Sequence, residues 1–365
     1  MSLKILCIDA TILRDDRLTG VERYIIELIK AFGKIENEFK IYVLLNKRYT
    51  KFRSQINFGD PIYSPTTYRI INDQIWIPYI TLKLKADLVH FPVFGAPVFC
   101  QTPAVLTIHD ATPWKFPETI SKGMRLYYKP LYKQSVKRAK HIITVSNSSK
   151  NDLIAALNIP TNKITTIYEA VDRDFFNIDN LHHLSPLDLN LKYLLSVGTL
   201  EPRKNVKILL EAYAILKSKY KIPHKLVFTG RKGWIDNLKV DESLKEDIIF
   251  TGFIPDENLP SVYNNAAVYV FPSLYEGFGF PILEAFALKV PVVSSDTSSL
   301  PEIGGNGCLY ANSGSAAEFA EQIYSILKDN GLRNMLVDNG NKILQNFSWT
   351  KCGLETLQVY RNILN

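Results

Sequence analysis

Two glutamates separated by seven residues, Glu276 and Glu284, bracket a loop that contains Gly277 and Gly279. The apolar run at 267–271 predicts a buried strand before this loop, and the proline that follows it suits the first turn of a helix. In such a loop, free backbone N–H groups and the positive end of the helix dipole converge on an anion, so the sequence predicts a phosphate site. Carboxylates would repel phosphate, and we therefore expect both glutamates to accept hydrogen bonds from hydroxyl groups. A phosphate beside a polyol is the chemistry of a nucleotide sugar.

Two adjacent cations at the start of a helix form a second candidate anion site. A strand is predicted at 193–197, and Gly198 and Thr199 follow it; Arg203 and Lys204 come just before or within the first turn of the next helix. Cations at this end of a helix oppose its dipole, which costs roughly a few tenths of a kcal/mol or more. Their unfavourable placement indicates a bound anion.

Strands and helices alternate along both halves of the chain, which predicts two doubly wound parallel α/β sheets. Further strands are predicted at 3–8, 41–45, 87–91, 104–108, 142–145, 164–167, 226–229, 248–254 and 291–294, and C-terminal helices at 315–329, 331–345 and 349–364. Ligands of such sheets bind at the carboxyl ends of the strands. His109 directly follows one predicted strand, and Gly20 lies at a strand-to-helix turn, so both are expected at such an edge.

Length and composition are those of a globular protein with two ordinary α/β domains: 365 residues, 46% apolar and 22% charged. No targeting segment and no apolar window long enough to span a membrane is expected. The four cysteines, at 7, 100, 308 and 352, are far apart and predict reduced thiols in a cytoplasmic protein. The net charge of +7 is uneven, since residues 1–180 hold 25 Lys and Arg against 17 Asp and Glu.

Part of this positive charge forms a stripe at helical spacing. Its members are Lys122, Arg125, Lys129, Lys133, Lys137 and Lys140. The stripe fits either a solvated face or attraction to an anionic membrane, at roughly 1 kcal/mol per basic residue. No recognised nucleic-acid-binding module accompanies it, so no nucleic-acid partner is expected.

Several of these segments resemble the family 4 glycosyltransferases of the GT-B fold. The likeness lies in the two glutamates around Gly-Phe-Gly, in Gly198-Thr199 followed by Pro202-Arg203-Lys204-Asn205, and in His109-Asp110. It implies an α/β GT-B protein whose two Rossmann-like domains face each other across a cleft. The domains would span 1–176 and 193–348, with a linker at 177–192 and a last helix, 349–365, that completes the first domain. In place of the Gly-Gly pair common in the family, this chain has Thr19-Gly20, which leaves the role of that loop less defined.

The resemblance also implies an activity: retaining transfer of a hexose-type sugar from a UDP-sugar or GDP-sugar to a saccharide or lipid-linked saccharide, without a cofactor or a metal. His109 and Glu276 would be catalytic, His109 by orienting the sugar and Glu276 by holding a sugar hydroxyl near the reacting carbon. The implied donor-binding residues are Gly20, Gly198, Thr199, Arg203, Lys204, Ile254, Gly277, Phe278, Gly279, Phe280 and Glu284. Within this set Glu284 would accept the ribose hydroxyls, and Ile254 would lie beside the base. The expected setting is polysaccharide assembly in the cytoplasm, with peripheral contact at the inner face of the plasma membrane.

Other interpretations stay open at this point. The glycines near Glu276 could simply form a turn, with Glu284 favouring the helix dipole. A non-catalytic nucleotide-sugar-binding subunit of another transferase is the alternative function. Such a subunit has no chemical need for all five of His109, Arg203, Lys204, Glu276 and Glu284. A dinucleotide oxidoreductase is disfavoured, because Gly20 stands alone instead of within Gly-x-Gly-x-x-Gly.

Overall fold

The computed structural model describes residues 3–13, 19–49, 58–93, 95–119, 122–176, 191–231, 233 and 240–365, without the side chains of 122–128. The chain forms two compact units. Unit 1 comprises Met1–Glu169 together with Ser348–Asn365, and unit 2 comprises Ala170–Phe347. The sequence analysis placed the first domain at 1–176 and the second at 193–348, and most of the predicted linker between them, 177–190, lies outside the described residues.

Unit 1 is built on a parallel seven-stranded sheet in the order β3-β2-β1-β4-β5-β6-β7. Its strands are β1 (Lys4–Ala10), β2 (Phe39–Leu45), β3 (Asp60–Tyr63), β4 (Leu88–Phe91), β5 (Ala104–Thr107), β6 (His141–Thr144) and β7 (Ile164–Thr166). The central strands are almost continuous apolar runs, as expected for a parallel sheet that is covered on both faces.

The helices of unit 1 are α1 (Gly20–Lys34), α2 (Arg69–Ile71), α3 (Ile77–Lys83), α4 (Thr112–Lys115), α5 (Lys122–Arg138), α6 (Asn147–Leu157) and α13 (Trp349–Leu364). A π-helical turn, Asn72–Trp76, joins α2 to α3. Helix α1 begins with a capping box, in which Thr19 and Glu22 satisfy each other's backbone N–H groups. Its apolar face, which carries Ile25, Leu28, Ile29 and Phe32, is buried.

The last helix, α13, is part of the core of unit 1. The hydroxyl of Tyr360 lies 2.6 Å from Nδ1 of His90, and Nε2 of His90 lies 2.7 Å from the hydroxyl of Thr107. Thr107 in turn lies 3.1 Å from the hydroxyl of Tyr24 on α1. These buried polar groups satisfy one another, so α13 is fixed to β4, β5 and α1 by a connected network.

Unit 2 contains a parallel six-stranded sheet in the order β10-β9-β8-β11-β12-β13. Its strands are β8 (Tyr193–Val197), β9 (Lys225–Thr229), β10 (Ile248–Gly252), β11 (Ala266–Phe271), β12 (Val292–Ser295) and β13 (Cys308–Ala311). Its helices are α7 (Val206–Ser218), α8 (Leu259–Asn264), α9 (Phe280–Ala287), α10 (Leu300–Gly304), α11 (Ala316–Lys328) and α12 (Asn330–Leu344).

The predicted doubly wound parallel sheets are confirmed in both units, and each predicted strand has a counterpart within a few residues. Two short strands at or near the sheet edges, β3 and β13, were not predicted. Within the described part of the chain, no helix combines the length and the apolar character needed to cross a membrane. The four cysteines are buried and unpaired.

Candidate functional site

Two loops of unit 2 meet because the strands before them are neighbours. Strands β8 and β11 pair in parallel, so their carboxyl ends lie at the same edge of the sheet. The loop after β8 carries Arg203 and Lys204, and the loop after β11 carries Glu276. A backbone hydrogen bond of 2.8 Å from Leu274 N–H to the carbonyl of Arg203 joins the two loops. The two candidate anion sites of the sequence are therefore one site.

The carboxylate of Glu276 bridges the two cations. Nζ of Lys204 donates to Oε1 at 2.6 Å, and Nη1 of Arg203 donates to Oε2 at 2.8 Å. The second guanidinium nitrogen of Arg203 donates to Glu201 at 2.6 Å. Burial of Glu276 raises its pKa, but Lys204 and Arg203 outweigh burial and lower the pKa to about 2. Glu276 is therefore ionised at any physiological pH.

The backbone places both cations before helix α7, in a 3₁₀ turn over Pro202–Lys204. Asn205 then adopts a left-handed conformation, with φ of 54°, and the α-helix begins at Val206. The sequence left open whether the two cations lie before or within the first turn of this α-helix. The structure places both of them before it. The ammonium of Lys204 also lies 5.2 Å from the ring centroid of Phe271. At this distance a cation–π interaction stabilises the ammonium in its partly buried position.

Hydroxyl side chains at the end of β12 and just after it hold the backbone of the Glu276 loop. The hydroxyl of Ser295 donates to the carbonyl of Ser273 at 2.5 Å. The hydroxyl of Ser299 contacts the carbonyls of Glu276 and Phe278 at 3.0 and 2.5 Å. The backbone N–H of Glu276 donates to the hydroxyl of Ser298 at 3.0 Å. These bonds fix the backbone of the loop, and a fixed backbone holds its side chains in position.

The glycine-containing loop ends as predicted at the start of a helix. Gly279 is the N-cap of α9 and has φ of 130°, a conformation that side-chain-bearing residues rarely adopt. Phe278 beside it is buried, and its ring lies 5.3 Å from that of Phe280 and 5.8 Å from that of Phe347. Phe278 therefore anchors the loop to the core of unit 2, while Gly277 is half-buried.

Glu284 lies on α9, where its side chain is buried and accepts a hydrogen bond of 2.9 Å from the hydroxyl of Tyr263. Tyr269 lies close enough that its pKa, raised mainly by burial, is raised further by Glu284 and by Glu276. The sequence analysis did not identify either tyrosine. Both come from elements that pack beside α9, namely α8 and β11, and only the tertiary structure brings them to Glu284.

His109 lies in unit 1, two residues after β5, and both of its ring nitrogens face acceptors. Nδ1 lies 3.1 Å from Oε1 of Glu169, and Nε2 lies 3.0 Å from the carbonyl of Pro92. The ring of Tyr24 contacts the imidazole edge to face, at 4.9 Å between centroids. Burial works against a charge on His109, but Glu169 outweighs it and the pKa of His109 is raised above its ordinary value. Two nearby acceptors and a raised pKa favour the protonated form of His109.

Glu169 is the functional candidate that the sequence analysis missed. Its side chain is 1% exposed, and burial raises its pKa. In the sequence it stands within the segment that leads out of the first domain, where no local pattern assigns it a partner. Burial of an ionised carboxylate costs free energy unless the carboxylate is paired. Once Glu169 is known to be buried, this cost therefore indicates that it has a partner.

The other predicted site residues are placed as follows. Gly20 is the exposed first residue of α1, after the Thr19 cap. Gly198 has φ of 140° directly after β8, and Thr199 beside it is exposed. Ile254 is buried after β10. The structure thus joins Arg203, Lys204 and Glu276 in one cluster of unit 2, whereas His109 and Gly20 belong to unit 1.

No group of three or more His, Cys, Asp or Glu side chains that could hold a metal ion occurs among the described residues.

Comparisons with known proteins give a consistent result. Residues 18–175 match the family described as Glycosyltransferase Family 4, and residues 177–343 match the family described as Glycosyl transferases group 1. The chain is 32% identical to the O-antigen chain mannosyltransferase B of Escherichia coli, over 94% of this chain and 96% of that one. It is 31% identical to the O-antigen chain mannosyltransferase RfbU of Salmonella typhimurium, over 57% of this chain and 56% of that one.

Among solved structures, the Anabaena protein HepE, in complex with UDP and glucose, superimposes with a TM-score of 0.75 at 18% identity. The superposition covers 98% of this chain and 99% of that one, and it shows a shared GT-B fold. Together with the mannosyltransferase match along nearly the whole chain, this means that the protein belongs to the family 4 glycosyltransferases.

Proposed function

We propose that this glycosyltransferase moves a hexosyl group from a nucleoside diphosphate sugar to a saccharide or lipid-linked saccharide, with retention of anomeric configuration, during polysaccharide assembly. The observation that carries the proposal is the cluster of Lys204, Arg203 and Glu276 at the carboxyl ends of two neighbouring parallel strands. The two O-antigen mannosyltransferase relatives support the hexosyl group and the setting.

The cluster is suited to the departure of a diphosphate. As the bond between the sugar C1 and the phosphate oxygen breaks, negative charge collects on the diphosphate, and fixed positive groups stabilise it. Lys204, Arg203 and the backbone N–H groups around Gly277–Gly279 supply that charge. The acceptor oxygen forms the new bond to C1, and its proton passes to the departing phosphate. No metal or cofactor enters this scheme, and metal independence remains a prediction.

Glu276 has two roles in this proposal. Without a donor it neutralises Lys204 and Arg203, which keeps two cations in a partly buried place. With a donor bound, the phosphate takes over part of that pairing, and a carboxylate oxygen becomes free to accept a hydrogen bond from a sugar hydroxyl. Its negative charge would also favour an oxocarbenium-like sugar in the transition state. Glu284, held by Tyr263, would accept the ribose hydroxyls, and the backbone near Ile254 would lie against the base.

His109 is proposed to act as a fixed cation that orients the transferred sugar. An imidazolium cannot accept a proton from an acceptor hydroxyl, so it would serve as a hydrogen-bond donor and not as a general base. Glu169 acts through His109 and is a positioning residue. Gly20, Gly198 and Thr199 would complete the donor site through their backbone groups, together with Phe278 and Phe280, whose rings shape the loop.

We also propose a peripheral contact with an anionic membrane at the cytoplasmic face, through the basic stripe on α5. The predicted helix is confirmed at Lys122–Arg138, and Lys140 lies two residues beyond its end. Lys133 and Lys137 are exposed, Lys129 is half-buried, and the side chains of Lys122 and Arg125 are outside the described residues. No nucleic-acid partner is proposed.

The donor is tested by thermal-shift measurements with UDP-, GDP- and ADP-sugars, because a ligand that binds only the folded state raises the melting temperature. We expect one nucleoside diphosphate sugar to raise it, and that sugar to be hydrolysed slowly by the isolated protein. Binding without hydrolysis or transfer, with every acceptor tried, would instead support a non-catalytic donor-binding subunit. No shift with any donor would contradict the proposal.

A further inference from the structure

A row of large apolar side chains lies exposed along one helical segment of unit 1. The segment is formed by α2, the π-helical turn and α3, from Arg69 to Lys83. The exposed side chains, each between 43 and 71% accessible, are Tyr68, Ile70, Ile71, Ile75, Tyr79 and Leu82. All but Ile70 are spaced three or four residues apart, which places them on a single helix face. The opposite face, with Trp76, Ile77 and Ile80, is buried in the unit.

The loop that carries Phe99 extends this apolar face. Phe99 is 74% exposed, the most accessible of the large apolar side chains described. The residue before it, Val98, donates its backbone N–H to Gln74 on the π-helical turn at 3.0 Å. On its other side the loop is held by α5, since Arg138 contacts the carbonyls of Val98 and Cys100, and Ser135 donates to the carbonyl of Ala96 at 2.9 Å. The loop therefore connects the apolar face to the helix with the basic stripe.

Basic groups border this face. Lys47 donates to the carbonyl of Pro65 at 3.1 Å, next to the start of the segment. Lys83 and Lys85 are exposed at its other end, and Arg138 lies beside the Phe99 loop. Across residues 66–86 the sequence contains one acidic residue, Asp73. Asp73 pairs with Arg69 at 3.2 Å, and its side chain is 22% exposed, so it does not offset the basic rim.

We propose that the exposed face of Arg69–Lys83, together with Phe99, is the surface by which unit 1 docks on an anionic membrane. Apolar side chains on one face of a helix, with Lys and Arg at the edges, are the pattern of helices that lie in a bilayer interface. Tyr68 and Tyr79 have an apolar ring with a polar tip, which suits the boundary between headgroups and acyl chains. Contiguous exposed apolar surface of this kind marks an interaction site.

A second copy of the chain fits this surface less well than a membrane. A symmetric pair would bring the same patch of each copy together, and the basic rims would then lie against one another. An anionic bilayer instead carries the charge opposite to that of the basic rim, and its acyl region can take up the apolar side chains. Each basic residue near such a surface contributes attraction that falls off within a Debye length.

This surface deepens the membrane contact proposed for the stripe on α5, because it names the side chains that enter the lipid. Vesicle binding requires neither donor nor acceptor. A failure of this inference would therefore leave the proposed transfer reaction standing, and an inactive enzyme that still binds vesicles would leave this inference standing.

The test is co-sedimentation of the full chain with vesicles of phosphatidylcholine, alone or mixed with phosphatidylglycerol. We expect binding to the mixed vesicles that weakens with salt. The double variant Ile75→Ser/Tyr79→Ser, and separately Phe99→Ser, should weaken it by about tenfold or more, because the apolar contribution is lost. The matched control is Leu354→Ser, which changes an exposed leucine, 47% accessible, on the surface of α13. Lys83→Gln should weaken binding to the mixed vesicles and reduce its dependence on salt.

Three outcomes would overturn the inference. They are no binding of the wild type to mixed vesicles, unchanged binding of the double variant, and a concentration-dependent dimer that the double variant abolishes. The last would make a second copy the occupant of the surface. Unchanged melting temperature and donor hydrolysis of each variant establish that it is folded.

Discussion

The ammonium group of Lys204 lies 2.6 Å from the carboxylate of Glu276, 72 residues further along the chain. The contact joins the loop after β8 to the loop after β11, and Arg203 approaches the second oxygen of the same carboxylate. A phosphate that binds these cations must therefore compete with Glu276. Under the proposed function, binding of the donor diphosphate would therefore release a carboxylate oxygen of Glu276 beside the sugar.

Replacing Glu276 with Gln should separate binding from turnover. We expect turnover to fall by about 100-fold, the size of effect seen when one preorganised hydrogen-bonding group of an active site is removed. Affinity for the nucleoside diphosphate should stay the same or become tighter, because Lys204 and Arg203 lose a competing anion. Steady-state kinetics and titration calorimetry give the two values. Weaker nucleotide binding together with unchanged turnover would contradict the assignment.

The same pairing makes a prediction about acid stability. The pKa of Glu276 is lowered to about 2, so its contribution to the free energy of unfolding is fully present above its ordinary value of 4.5 and is lost as the pH falls through the lowered value. The shift corresponds to about 3 kcal/mol at neutral pH. Between pH 6 and pH 2, chemical denaturation should show wild type and Glu276→Gln converging. A constant difference across that range would be inconsistent with an ionic role.

Arg203→Ala and Lys204→Ala should each weaken nucleoside diphosphate binding by about 1–3 kcal/mol, the usual effect of removing a charged hydrogen-bond donor. Lys207→Ala is the matched control, since Lys207 lies three residues further on with its side chain 85% exposed. Calorimetry should show the control close to wild type. Equal losses in all three variants would indicate general electrostatic attraction instead of a clamp.

The His109–Glu169 pair predicts a pH dependence with a defined sign. Because Glu169 outweighs burial, the pKa of His109 is raised above 6.5, and its proton should be lost only at a pH above that value. Glu169→Gln keeps an acceptor but removes the charge, so burial should dominate and the pKa of His109 should fall. The ring ¹⁵N shifts of His109 in the two proteins report this directly.

Turnover should follow the same titration if the charge on His109 matters. The wild-type rate should decline as the pH rises through the raised pKa, and the Glu169→Gln rate should decline at lower pH. Glu36→Gln, at an exposed position on unit 1, is the control. A neutral His109 at pH 7 in the wild type, or identical pH–rate profiles for wild type and Glu169→Gln, would remove Glu169 from the mechanism.

Tyr360→Phe should destabilise unit 1 by about 1–3 kcal/mol, because it leaves the buried Nδ1 of His90 without its partner. Tyr68→Phe removes a hydroxyl from a side chain that is 71% exposed and serves as the comparison. Thermal and denaturant unfolding of both variants measure the difference. Equal stability of the two variants would mean that the network around His90 is not coupled to α13.

Local sequence patterns predicted most of the fold. The periodicity of apolar residues located the central strands, and a turn glycine, Gly20, and a proline, Pro281, located the starts of α1 and α9. The strands β3 and β13 were missed because both are only partly buried strands at a sheet edge, and β3 also contains a proline that weakens the strand pattern. Such strands are specified by the neighbour they pair with more than by their own residues.

The site was predicted less completely than the fold, for a related reason. The resemblance identified Glu276, Arg203 and Lys204 separately, but their mutual pairing depends on two strands being adjacent. The contacts of Glu169 with His109 and of Tyr263 with Glu284 also span 60 and 21 residues. No periodic pattern in the sequence relates residues at these separations, so only the folded structure shows which of these residues are in contact.

The position of α13 has a consequence for how the protein is made. The core of unit 1 includes Cys352, Leu357 and Tyr360, which a ribosome adds only after all of unit 2. During synthesis the first 169 residues therefore emerge before α13, and the surface that α13 covers stays exposed until unit 2 has been made. The core of unit 1 can therefore be completed only after unit 2 has been synthesised, although the N-terminal part of a chain usually folds first.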